Sequence, residues 1–450
     1  MNKMTLTRKP YVSALVFMFA ILAGMLGSCQ KETADTGDLL ATVPSSSGFV
    51  AGINLKSVLE KSGCKVDGSE IKAGEAVTAW IDSKKDAMDS KRNALKLFLD
   101  GESGVDPSVA IFFTDAYNNY LTASLADTEK FENFVATQSG EQFEDAGNGV
   151  RTCGNVAVKG AQAWICVSSN NTIDSKAVAN YATLGDSQSF LKNGISSDIA
   201  KMTSDIVGWG DIKSFSKAGL PVGQLSSANM LLNAAFDGAS SVSFNVDFRK
   251  GEAAASLKVL NSKGENAKCL LPLAKLDVPT VKSIGESAQL LVAVSITSDF
   301  VKKLDKIGGS MLGQITEMLK PVDGTVAVAL GNLNDPESSL EGVVTTDGEP
   351  TRDFMSMLSQ FGNTKKDGKL VRFSKGSVSG GVDVSKASDD MKRAFAGVVA
   401  DLGGLEENPM FKILSVMMVP DGGGVRCDIT LESGDASKNI LLSMIEADAE

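Results

Sequence analysis

Histidine is absent from all 450 residues. It is the usual general base near neutral pH and the commonest metal ligand, so Ser-His-Asp and Cys-His catalysis and histidine-ligated zinc or haem are excluded. No Cys-x-x-Cys pair, Walker loop or dinucleotide fingerprint stands in its place. No cofactor is therefore expected, and any catalysis must run on carboxylates alone or on serine with lysine. Basic residues are also short, 44 against 55 acidic, for a formal charge of −11. That balance argues against a nucleic-acid partner, whose phosphates must be neutralised by Lys and Arg.

What is there begins with the N-terminus. Lys3, Arg8 and Lys9 precede an uncharged run, ALVFMFAILAGML (14–26), closed by Gly27, Ser28 and Cys29. A membrane-spanning helix needs about 20 apolar residues; this core is shorter and ends in small side chains, as a signal peptide does. Leu26-Gly27-Ser28-Cys29 resembles the lipobox of bacterial lipoproteins. The resemblance implies cleavage between Ser28 and Cys29 and acylation of Cys29, which would tether the protein to the outer membrane on an undecided face. Two or three acyl chains hold firmly where one does not. Removing residues 1–28 takes away three basic residues and no acidic one, so the balance moves from −11 to −14.

The remaining length, 43% hydrophobic, suits two or three globular domains. Two long stretches share an order of elements. GVDPSVAIFFTDAYNNYLTASLAD (104–127) parallels PVDGTVAVALGNLNDPESSLEGVVTTD (321–347). Each leads into a helical pattern and then a hairpin, the second hairpin being KLVRFSKGSVSGGVDV (369–384). Upstream, 49–63 parallels 290–309; downstream, 241–268 parallels 413–440, both hairpins. The expectation is an α+β fold from an internal duplication, with largely antiparallel sheets and helices on one face. The domains expected are a signal peptide (1–28), a polar tether (29–41), a first repeat (42–280) and a second (281–450). The first repeat carries an extra helix over 75–99.

Besides Cys29 there are five cysteines, 64, 153, 166, 269 and 427, so at least one is unpaired within the chain. In VRTCGNVAVKGAQAWICV (150–167) a turn at Lys159-Gly160 places Cys153 opposite Cys166 in a non-hydrogen-bonded pair. Such a pair has Cα atoms about 4.5 Å apart, which a disulfide spans, and an exported compartment permits oxidation. A Cys153–Cys166 bond is predicted, with Val156, Val158, Ala163, Ile165 and Val167 on the opposite, core face. The alternatives are two buried reduced cysteines, or a longer turn that shifts the register.

TVPSSSGFVAGINLKSVLEKSG (42–63) and SQSFLKNGISSDIAKMTSDIVGWGDIKSF (187–215) resemble segments of a family of uncharacterised Bacteroidetes lipoproteins. The resemblance implies a compartment and a phylum and brings no activity with it.

Candidate chemistry is sparse. Ser69/Lys72 and Ser189/Lys192 have Ser-x-x-Lys spacing, but the companion motifs of penicillin-binding enzymes are missing, and both serines read as helix caps. Asp115, Tyr117, Asn118, Asn119 and Tyr120 mix aromatics with amides, a combination able to stack on sugars, but they fall where a hairpin turns and turn formation alone accounts for them first. Asp389-Asp390 and Glu406-Glu407 lack the surroundings of a calcium loop. Asp421-Gly422-Gly423-Gly424 reads as a turn because no helix follows to bind an anion. Trp164 falls on the cysteine face of its hairpin, packed in the core or exposed for binding. Together these point to a lipid-anchored envelope protein with a non-enzymatic binding or structural role toward an envelope protein or glycan. The alternative is a glycan-binding or histidine-independent hydrolytic surface lipoprotein.

Overall fold

The computed structural model describes residues 36–449 apart from 84–95, 97, 116–117, 168–172, 216–234, 272, 285–287, 332–339, 360–361 and 375–410. Ser28, Cys29, Tyr117, the acidic pairs at 389–390 and 406–407, and the second half of the 369–384 hairpin lie outside the described residues. Two compact units emerge: Met1–Ser226 with Ser240–Gly251 and Asp435–Glu450, and Ser227–Ala239 with Glu252–Gly434. These boundaries differ from 42–280 and 281–450. The strand after Gly251 joins the second unit, and the C-terminal helix (Ile440–Ala449) joins the first. Among the described residues no helix is long and apolar enough to cross a membrane.

The first unit holds β1 (Phe49–Ile53), β2 (Lys65–Asp67), β3 (Glu70–Lys72), β4 (Val105–Asp115), β5 (Asn118–Leu125), β6 (Glu144–Gly147), β7 (Val150–Cys153), β8 (Val156–Lys159), β9 (Gln162–Cys166), β10 (Ile206–Asp211) and β11 (Ala239–Arg249). Apart from the separate β2–β3 hairpin, these form one antiparallel sheet ordered β11-β10-β1-β4-β5-β9-β8-β7-β6. Its helices are α1 (Gly37–Ala41), α2 (Leu55–Glu60), α3 (Glu75–Ser83), α4 (Thr128–Ser139), α5 (Ser175–Tyr181), α6 (Ser196–Lys201) and α7 (Ile212–Phe215).

Every residue of β1 is buried, and so are Ile111, Phe112 and Phe113 in succession on β4. A strand apolar at both parities needs cover on both sides, and both sides receive it. Phe131 of α4 packs with Leu125, Val156, Val158 and Ala163 on one face. Tyr181 of α5 meets Phe113 and Tyr120 on the other. Helices are thus not confined to one face, contrary to the expectation.

The second unit holds β12 (Glu252–Asn261), β13 (Leu290–Ile296), β14 (Val322–Leu330), β15 (Leu340–Thr346), β16 (Asn363–Asp367), β17 (Leu370–Ser374), β18 (Phe411–Asp421) and β19 (Gly424–Ser433). Their order is β12-β19-β18-β13-β14-β15-β17-β16, with one parallel pair, β13–β18. Here too both faces are covered. Val281 of α8 (Val278–Lys282) packs over Leu291, Ala293, Ala327 and Ala329. Val301 of α9 (Ser298–Leu319) and Phe354 of α10 (Arg352–Leu358) pack over Ile296, Val344, Val371 and Phe373.

The β18–β19 turn is Gly422-Gly423, with φ of +53° and +84°. Two positive φ values define the tight hairpin turn that matches strand twist, and glycine adopts them without strain. The glycine-rich loop is a turn, as its sequence suggested. Gly342 serves a different need: its cross-strand partner Phe373 lays its ring over it, and a Cβ there would stand 2.0 Å from Cζ.

Candidate functional site

The tip of the β4–β5 hairpin is the strongest sequence-nominated site. Asp115 pairs with Asn118 at the end of the ladder. Strand parity then decides which side chains are available. Tyr120 is 1% exposed, stacked on Phe113 at 5.2 Å between ring centroids and edge-on to Tyr181 at 5.5 Å. The Tyr181 hydroxyl, brought from α5, donates to Asp115 Oδ2 at 2.5 Å. Asn118 Nδ2 donates to the Tyr120 hydroxyl at 3.4 Å, and the Asn119 carbonyl accepts from Val167 N.

Burial pushes the Tyr120 phenol above its usual range. The Tyr181 phenol is pushed well above, first by burial and then by the hydrogen bond to Asp115. Both stay neutral at physiological pH. The arrangement clamps the hairpin to α5 and leaves no Tyr120 ring to stack on a sugar, so the glycan-platform reading of Tyr120 is corrected. Its cause is the closing of Phe113, Tyr120 and Tyr181 into one aromatic core.

The cysteine hairpin is also corrected. β8 and β9 pair as Val158↔Ala163 and Lys159↔Gln162, so the turn is Gly160-Ala161 and the register lies two residues from the one expected. A second turn at Gly154-Asn155 puts Cys153 on β7, opposite Val156. Cys166 instead faces Tyr120 of β5. Both thiols are free and buried, and Cys153 Sγ lies 3.3 Å from Ser139 Oγ. A two-residue slip preserves face, so Val156, Val158, Ala163 and Ile165 still share the core cluster. Trp164 is fully buried, with its indole N–H unpaired.

Neither Ser-x-x-Lys pair makes a dyad. Ser69 occupies the β2–β3 turn, not a helix cap. Ser189 precedes a 3-10 turn (Phe190–Lys192) but makes no capping bond; its hydroxyl donates to the Asp186 carbonyl.

A different serine–lysine pair escaped the sequence reading. Ser57 and Lys61, one helical turn apart at the end of α2, converge on Asp205, which is 2% exposed. Ser57 Oγ donates to Oδ1 at 2.6 Å, Lys61 Nζ reaches Oδ2 at 2.7 Å, and Phe248 N donates to Oδ2 at 2.7 Å. The i, i+4 spacing was the available signal; the acidic partner, 144 residues beyond Lys61, was not. Ser57 spends its proton on the carboxylate, so the triad ties α2 to β10 and β11 and is not a nucleophile.

One open cleft of about 590 Å³ lies along α4, lined by Glu102, Asp127, Glu129, Lys130, Asn133 and Phe134 among others. Lys130 is paired with Glu102, and Asp127 caps α4 by accepting from Lys130 N. Among the described residues no group of three or more Cys, Asp or Glu could hold a metal ion.

No protein-family model matches the chain. No curated protein matches it either. Among solved structures it is similar to crystal form I of TP0453, at 9% identity and a TM-score of 0.29, over 84% of this chain and 100% of that one. Crystal form III gives 8% and 0.29 over 80% and 97%, and crystal form IV gives 10% and 0.30 over 51% and 81%. Likeness this weak carries no argument about function.

Proposed function

We propose that the protein is an envelope lipoprotein, anchored to the outer membrane through acylated Cys29, with a non-enzymatic binding or structural role. The observation that carries this reading is the sequence of charges, apolar run and Leu26-Gly27-Ser28-Cys29 at the N-terminus. The non-enzymatic part is supported by Ser69 lying in a turn, by the Ser189 hydroxyl donating to the Asp186 carbonyl, and by Tyr120 being buried against Phe113 and Tyr181. A partner is an envelope protein or a glycan that meets loop and sheet surface.

An ancient duplication is part of the same reading. The runs β1-β4-β5-β9 and β13-β14-β15-β17 are each adjacent and antiparallel, and α4 and α10 occupy the same connection. The units differ on the other side: β1 meets antiparallel β10, whereas β13 meets parallel β18.

Protease treatment of intact cells, with lysed cells as control, tests the placement. Recovery of the protein in the outer-membrane fraction is expected, and loss of signal from intact cells would assign the outer face. Recovery as a soluble protein released without detergent would contradict the anchor. Turnover of any glycan or peptidoglycan fragment by the purified chain would contradict the non-enzymatic role.

A further inference from the structure

The point where the chain enters the first unit is fixed. Thr36 is 1% exposed; its N–H donates to the Ala200 carbonyl and its hydroxyl to the Ile199 carbonyl, each at 3.1 Å. Leu39 and Leu40 of α1 are buried just after it. Phe190 N donates to the Val43 carbonyl at 2.7 Å, so α6 and the 3-10 turn surround the entry. Ser196 Oγ, at the start of α6, donates to the Leu191 carbonyl at 2.9 Å. With α6 rising about 1.5 Å per residue, Leu191 lies on the order of 10 Å from the entry.

Six residues lie between Cys29 and Thr36, which are thus seven Cα-to-Cα steps apart. Fully extended, they span at most about 25 Å. A globular unit of roughly 230 residues has a radius of gyration near 17 Å and is about 45 Å across. The tether is therefore shorter than the unit is wide, and only the face around Thr36 can reach the leaflet that holds the lipid.

That face carries a second, independent feature. Leu191, 37% exposed, is the one large exposed hydrophobic residue among the described residues of this unit. Lys192 and Lys201 are exposed on this face, with Asp38, Asp186 and Asp198. The described charges of this face sum to only −1 in a chain that is otherwise strongly acidic, which limits repulsion from an anionic leaflet. We propose that the lipidated protein stands on its leaflet through the face formed by Thr36, the 3-10 turn and α6, with Leu191 entering the interface between headgroups and acyl chains. The partner of this surface is the bilayer itself, and the inference rests on acylation of Cys29.

The test uses the lipidated full chain in vesicles of phosphatidylethanolamine and phosphatidylglycerol, part of it brominated along the acyl chain. Leu191→Trp and Ser197→Trp, the latter exposed on α6, are compared with wild type and with Asp145→Trp on edge strand β6. Bromolipid is expected to quench the emission added at 191 and 197 several-fold more than that added at 145. Ser197→Trp keeps the test alive should Leu191→Trp fold poorly. If the intact mass shows lipid on Cys29 and neither probe is quenched beyond Asp145→Trp, the orientation is wrong and the anchor stands. If Cys29 carries no lipid, the anchor reading fails and takes the orientation with it.

Discussion

Asp205→Ala should destabilise the first unit by about 4 kcal/mol. The carboxylate is buried at the meeting of α2, β10 and β11 and accepts from Ser57 Oγ, Lys61 Nζ and Phe248 N. Its removal strands the Lys61 ammonium, whose side chain is only 14% exposed. Breaking one partner out of a buried ion pair costs about 3–5 kcal/mol. The Phe248 amide, left without an acceptor, adds about 1 kcal/mol or more. Partial relaxation of the lysine toward water keeps the sum near the middle of the range.

Replacing both charges removes most of the penalty, because Lys61→Met with Asp205→Asn leaves no buried charge and retains an acceptor for Phe248 N. The double variant should lie within about 2 kcal/mol of wild type, giving a coupling of at least about 2 kcal/mol. Trp80, Trp164 and Trp209 all belong to the first unit, so tryptophan emission during urea unfolding isolates it from the second. At a slope of about 2 kcal/mol/M, the single variant shifts the midpoint by about 2 M. A loss under about 1 kcal/mol for Asp205→Ala, or a double variant as unstable as the two singles summed, would refute the role assigned to the triad.

Three further outcomes are expected. Gly342→Ala should cost the second unit about 1–3 kcal/mol, because the Phe373 ring must leave its place over the strand; far-UV circular dichroism during unfolding reads it, and an unchanged profile contradicts the ring's position. Alkylation in denaturant without reductant, followed by digestion, should recover Cys153 and Cys166 both modified, whereas a bridged peptide would restore the register in which they face. Tyr120 and Tyr181 have phenols raised in the folded state. Their contribution to stability is complete below the ordinary phenol range near pH 10 and is lost as pH rises above it. In the chain lacking residues 1–28 and carrying Tyr117→Phe, which leaves these two tyrosines, absorbance at 295 nm should show them ionising together with alkaline unfolding, and phenolate appearing near pH 10 with the fold intact would contradict their burial.

Parity was legible in the sequence where register was not. Val156, Val158, Ala163 and Ile165 alternate, and alternation alone assigns them to one face. The pairing of Cys153 depended on where the chain turns, and Gly154-Asn155, a turn dipeptide inside an apparently continuous strand, adds a hairpin that alternation conceals. Tyr120 looked available because its neighbours are turn residues; its burial comes from Tyr181, which no local pattern connects to it. The Asp205 triad shows the same limit, since Ser57 and Lys61 advertise a helix face but not the strand that supplies their acid. Helices on both faces were foreshadowed by the run Ile111-Phe112-Phe113, apolar at both parities, which outweighs the alternating stretches around it.

The central claim is the lipid on Cys29. Cells fed labelled palmitate, expressing the wild-type chain or Cys29→Ala, provide its most direct test, read by label incorporation and by the intact mass of the purified protein. The expected result is label in the wild type alone, with a mass matching a chain that begins at Cys29 and carries acyl chains. An unlabelled wild-type protein, or one whose mass places its first residue elsewhere, would contradict the anchor.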